Sequence, residues 1–136
     1  MPRVVLDANI LVSAFFWEGN EQDLLRRCRE GEIHSITSTH VLGELERVLL
    51  RKFKMPEEMV RDYVKEVIML SDLVFPKGDL RVIEQDPADD LVLETVVLGE
   101  ADAIVTGDNH LLQLGSYKGV EIWKAKEVWR DIRTST

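Results

Sequence analysis

Two aspartates each close a short apolar run. Asp7 follows Val4-Val5-Leu6, and Asp108 follows Ile104-Val105-Thr106-Gly107. A third acidic element, Asp86-Pro87-Ala88-Asp89-Asp90, opens an apolar stretch, and Glu94 lies one helical turn beyond Asp90. The fourth is Glu44, at the edge of a stripe formed by Val41, Leu45, Val48 and Leu49. Carboxylates gathered from distant segments repel one another, and some are pushed to higher pKa unless a cation is shared. Mg²⁺ and Mn²⁺ prefer such oxygen donors. Phosphodiester hydrolysis needs an activated water, stabilised charge and help for the leaving oxygen, and divalent ions supply all three. Asn9 and Thr106 are uncharged neighbours suited to orienting a carboxylate, the water or the phosphate.

Each acid also has an ordinary explanation. Asp7 and Asp108 precede helices and serve as N-caps. Acids at the start of a helix complement its dipole. A glutamate at a stripe edge swings out to water. The combination exceeds these roles. Two separate strands end in aspartate, and Asp86, Asp89 and Asp90 fall within five residues. Asp90 and Glu94 are like charges at a destabilising spacing, a conflict that a cation between them removes. Periodicity does not rank Asp86, Asp89 and Asp90, because Leu91, Val92, Thr95, Val96 and Leu98 are spread around the helix.

The elements that must position these groups alternate in type. Arg3–Leu6 reads as a buried strand, and a helix from about Asn9 carries Ile10, Leu11, Ala14 and Phe15. A second helix covers about Asn20 to Glu30, stopped by Gly31. Ile33–Thr37 is a strand, then Ser38 or Thr39 caps a helix to about Phe53. Pro56 opens a long helix ending near Leu70, and Leu73–Phe75 is a strand. Pro87 opens a helix to Leu98, with Gly99 as its stop, before the strand Ala103–Thr106. Gly107 is read as relieving bulk at the turn that follows. A short helix holds Leu111, Leu112 and Leu114, then Val120–Trp123 is a strand and about Ala125–Ile132 a terminal helix. Continuous apolar strands between helices predict an α/β/α sandwich, with a parallel sheet of four or five strands. Ligands in such sheets bind beyond the carboxyl ends of the strands, where Asp7 and Asp108 fall.

The 136 residues suit one domain, residues 1–136, with no internal repeat and no linker. Apolar residues are 45% and charged residues 31%, which excludes a mainly disordered chain. Cys28 is the single cysteine, so no intrachain disulfide is possible and a reducing, cytoplasmic setting is expected. No apolar run is long enough to span a bilayer, and Met1-Pro2-Arg3 lacks the form of a signal peptide. The net charge of −8 argues against nucleic-acid binding through a broad basic surface. Four of those charges are the candidate metal ligands, and a cation would offset much of the mismatch with RNA.

The pattern resembles the PIN-domain nucleases, metal-dependent ribonucleases common among the toxins of toxin–antitoxin pairs. Val4–Ser13, with Asp7-Ala8-Asn9, is similar to the family's first motif. Glu44, on the helix after the second strand, resembles its glutamate, while Asp-Pro-x-Asp-Asp followed by Ala101–Asp108 resembles its closing half. The resemblance covers nearly the whole chain. It implies a PIN-like sandwich and a Mg²⁺- or Mn²⁺-dependent endoribonuclease that leaves a 5′-phosphate and a 3′-hydroxyl. It further implies a homodimer and an antitoxin protein as partner. Asp7, Glu44, Asp90 and Asp108 would be the catalytic metal ligands, since Asp90 stands eighteen residues before Asp108, separated from it by a helix and a strand. Asp89 is its substitute, Asp86 an outer group, and Glu94 either joins the cluster or faces solvent.

Arg47, Arg51, Lys52 and Lys54, and Lys118, Lys124, Lys126, Arg130 and Arg133, are candidates for phosphate contact, each also readable as a solvated face. Phe15, Phe16, Trp17, Trp123 and Trp129 are assigned to core or subunit contact, with Trp17 a candidate for exposure. His34, His40 and His110 have no zinc-type spacing with Cys28 and receive no metal role. One rival is a phosphoryl-accepting α/β domain with Asp7 as nucleophile; it lacks the lysine such domains place at a strand end. The other is a catalytically silent PIN-fold binding module, against which the presence of all four acids counts. A dinucleotide-binding fold is disfavoured, because the first strand runs into Asp-Ala-Asn and not a glycine-rich turn. The nuclease reading requires the carboxylates to meet at one cleft without arginines already neutralising them.

Overall fold

In a computed structural model that describes residues 2–81 and 87–128, strand β1 (Arg3–Leu6) lies in the middle of the sheet. The strand order is β3-β2-β1-β4-β6-β5, with β2 at His34–Ser38, β3 at Ser71–Val74, β4 at Ala103–Val105, β5 at Ser116–Tyr117 and β6 at Val120–Trp123. The five longer strands are parallel, as expected. The two-residue β5 is an antiparallel edge that sequence reasoning did not foresee. Its turn holds Lys118 and Gly119 at φ 49° and 83°, the left-handed pair of a tight hairpin.

Alternation along β1 explains the layers. Val4 and Leu6 enter one core with Leu11, Leu24, Val41, Leu45 and Val60, while Val5 enters the other with Ile36, Val92, Val96 and Ile104. Helices α1 (Ala8–Phe16), α2 (Asn20–Arg29), α3 (Thr39–Arg47) and α4 (Glu57–Leu70) contribute to the first core. Helices α5 (Pro87–Leu98) and α6 (Asn109–Leu114) contribute to the second. The result is the expected three-layer arrangement. Gly99 ends α5 for a reason other than backbone freedom. A Cβ there would meet Ile36 Cγ2 at 2.4 Å, and it is Glu100 that takes the positive φ of 51°.

Two helix boundaries differ from expectation. The helix predicted to Phe53 changes winding at Val48–Lys52, a π-helical turn closed by Phe53 N–H donating to the Val48 carbonyl at 3.2 Å. After β6 the chain makes a 3₁₀ turn at Ala125–Glu127. The rest of the expected terminal helix, with Trp129, Arg130 and Arg133, lies outside the described residues, as does Asp86. Among the described residues no helix is long and apolar enough to cross a membrane.

Candidate metal centre and cleft

The chain winds outward from β1 through β2 to β3, then returns to place β4 on the other side of β1. Direction reverses between β1 and β4, and a crevice opens beyond their carboxyl ends. Register fixes what meets there. Leu6 pairs with Val105, and the Asp7 N–H donates to the Val105 carbonyl at 3.0 Å. Asp7 therefore lies beside Thr106. Thr106 Oγ1, fully buried, donates to Asp7 Oδ2 at 2.7 Å and accepts the Asp108 N–H at 3.0 Å. Asn9 Nδ2 donates to Asp7 Oδ2 at 3.3 Å, and Asn9 Oδ1 accepts the Gly107 N–H at 3.1 Å. Thr106 and Asn9 thus orient the first acid and clasp the two strand ends together. The role expected for Gly107 needs correcting: a Cβ there would stand at an ordinary 3.5 Å from Asn9 Oδ1, so what the position supplies is the N–H.

Both aspartates cap helices as well as facing the crevice. Asp7 Oδ1 accepts the Ala8 N–H at 2.8 Å, and Asp108 Oδ1 accepts the Leu111 N–H at 3.1 Å. Burial holds the Asp7 carboxyl above the usual carboxylate range. The hydrogen bonds from Thr106 and Ala8 oppose that rise, the Asp108 charge adds to it and His40 offsets it.

A cleft of about 450 Å³ is lined by Asp7, Asn9, Glu44, Asp89 and Asp108. Asp89 lines it and Asp90 does not, although both are buried, at 5% and 3% exposed. Glu94 lies elsewhere. It neither joins the acids nor faces solvent, being 9% exposed and accepting the N–H groups of Gly78 and Asp79 at 3.1 Å and those of Lys77 and Leu80. Burial pushes its carboxyl up, but the four peptide donors together hold it below the ordinary glutamate range. The like-charge spacing to Asp90 is thus relieved by backbone and needs no ion.

Glu44 carries an arginine. Arg47 Nη2 lies 2.6 Å from each oxygen, in a solvent-exposed pair one turn apart. Such pairs contribute little, about 0–1 kcal/mol, so a cation can compete for the carboxylate.

The donors fit a divalent ion. One ligand atom each from Asp89, Asp108 and His110 lies within 4.8 Å of the others. His110 Nδ1 is 3.4 Å from Asp89 Oδ2 and 4.0 Å from Asp108 Oδ1. His110 was given no metal role on spacing to Cys28. The informative spacing was to Asp108, two residues earlier and across the first turn of the same helix.

Residues 3–110 match the family model described as PIN domain. The chain belongs to the PIN domain family. No curated protein sequence matches. Among solved structures, this PIN domain is similar to a chain in the crystal structure of VapBC2 from Rickettsia felis bound to a DNA fragment from their promoter. The TM-score is 0.63 at 17% identity, covering 90% of this chain and 99% of the other. At that identity the likeness is one of fold.

Proposed function

We propose that this PIN domain is a metal-dependent endoribonuclease, hydrolysing RNA to 5′-phosphate and 3′-hydroxyl products. The observation that carries the reading is one cleft lined by Asp7, Glu44, Asp89 and Asp108, three of them on different strand ends or helix starts. Asp89 replaces Asp90 as the proposed third acid, and His110 joins as a donor. When bound, Mg²⁺ or Mn²⁺ would lower the pKa of water and stabilise charge on the phosphate. The chain's own residues do the rest. Asp89, Asp108 and His110 would hold the ion, with Asp7 and Glu44 on the same wall. Thr106 and Asn9 keep the Asp7 carboxylate aimed into the cleft. The raised Asp7 pKa marks a group that gains from a nearby cation.

Family membership and the likeness to a toxin–antitoxin structure support the toxin of such a pair as the biological setting, with a cognate antitoxin; a homodimer and a cytoplasmic location complete the proposal. The test is RNA cleavage with Mn²⁺ by the wild type and by Asp7→Asn. Cleavage by the wild type alone, abolished by chelation, supports the proposal. Equal, metal-independent cleavage by both points to contamination and overturns it. Acyl-phosphate trapping at Asp7 would restore the phosphoryl-acceptor reading.

A further inference from the structure

The cleft has a second end that the acids do not use. Two rows of side chains at i, i+4 spacing run away from Asp7 and Asp108. Asn9 and Ser13 on α1, continued by Trp17 just past its end, form one row, and His40, Glu44, Val48 and Lys52 the row on α3 and the π-helical turn. All seven line the cleft. Both helices begin at the carboxyl ends of adjacent parallel strands, so both rows lead away from the acidic end. At 1.5 Å per residue, Trp17 stands about 15 Å along from Asp7.

The far end is aromatic and cationic. Trp17 is 57% exposed, unusual for a tryptophan on an ordinary face. Its position is fixed from behind by Phe16, with ring centroids 5.4 Å apart, and by Phe53 at 6.3 Å. Lys52 Nζ lies 5.8 Å from the Phe53 centroid, on the same rim. The π-helical turn places Lys52 and Phe53 together beside Trp17.

We propose that this end is a base-stacking subsite for an unpaired RNA nucleotide a few residues from the scissile phosphate, with Lys52 meeting an intervening phosphate. The inference rests on the nuclease reading. A propped, exposed aromatic face beside a cation is what a single strand requires, since every base offers a π face and every link a negative charge. A duplex keeps its bases stacked and cannot present one. Continuity with the acidic end favours RNA over a protein segment as the occupant.

The test is fluorescence anisotropy in Ca²⁺ buffer, with a labelled oligouridylate of about twelve nucleotides and the same strand annealed to oligoadenylate. Wild type should prefer the single strand. Trp17→Ala should weaken that binding about tenfold, Trp17→Phe should restore most of it, and Lys52→Ala should lower the salt slope by about one. Circular dichroism melts confirm folding, and Mn²⁺-dependent cleavage is scored in parallel. If the wild type cleaves RNA but Trp17→Ala binds undiminished, or the duplex binds equally well, the subsite falls and the nuclease reading stands. If the wild type neither binds nor cleaves RNA, both fall.

Discussion

Asp7 and Glu94 are both buried carboxylates, and their surroundings push them in opposite directions. Asp7 is desolvated beside another negative group, Asp108, and its carboxyl is raised. Glu94 is also desolvated, but four peptide N–H groups from residues 77–80 converge on it, and its carboxyl is lowered. The fold satisfies Glu94 completely and leaves Asp7 short of positive charge. The comparison separates a carboxylate whose charge the fold itself satisfies from one whose charge it leaves largely uncompensated. It also shows why buried acidity alone is a poor guide to a site: what counts is which groups face the acid.

The sharpest way to break the comparison is by activity. Asp7→Asn and Asp89→Asn should each lower Mn²⁺-dependent RNA cleavage by about 10²–10³-fold, the scale for removing one charge-stabilising group. Asp90→Asn should change it less than about tenfold, because Asp90 does not line the cleft. A loss at Asp90 equal to that at Asp89 would return the third acid to the position that motif spacing favoured.

Stability should show the reverse order. Glu94→Ala strands the N–H groups of residues 77–80 and should cost about 2–3 kcal/mol, lowering Tm by about 8 °C, with metal-dependent cleavage retained. The pH dependence has a definite sign. The native Glu94 pKa lies below the ordinary 4.5, so its contribution is present above that value and is lost as pH falls through the lower native one. Urea titrations in chelator should show the wild type losing more stability than Glu94→Gln across that acid window. Parallel curves would mean that the peptide donors do not hold the ionised form.

Metal itself should act on one side only. Mn²⁺ at about a hundred times its Kd should stabilise the wild type by about 2.7 kcal/mol, reversed by chelation. Glu94→Ala should gain as much from its lower baseline, and Asp108→Asn should gain far less. Equal gains in all three, read by calorimetry, would place the ion away from the cleft.

The strand ends were legible in the sequence because an apolar run closed by aspartate fixes both the strand and the acid's place at its carboxyl end. Five parallel strands and two packed faces followed from the same runs. Which of Asp89 and Asp90 lines the cleft was not legible, because α5 packs Val92, Leu93 and Val96 into the core and offers no single apolar stripe from which to rank them. The partners of Glu94 depend on a loop folding back across α5, a contact between residues some fifteen positions apart that no periodicity encodes. His110 stands two residues beyond Asp108, a spacing that comparison with Cys28 did not address. That thiol is buried, and desolvation pushes it up to about 12.

Glu44 supplies the smallest and finest test, because it stands between the two cases. It lines the cleft like Asp7 but already carries a positive partner like Glu94. Its partner, however, is a solvent-exposed side chain and not a set of backbone peptide dipoles. Holding two long side chains in one geometry costs rotamer entropy, and solvent screens the attraction, so the pair is worth at most about 1 kcal/mol. Arg47→Ala should therefore leave stability within about 0.5 kcal/mol of the wild type while freeing Glu44. Mn²⁺ affinity, read by calorimetric titration, should rise by no more than about fivefold, the most that breaking a pair worth about 1 kcal/mol can return. A fall in affinity would mean that Arg47 holds Glu44 in place for the ion, and Glu44 would then belong with the acids whose position the fold itself secures.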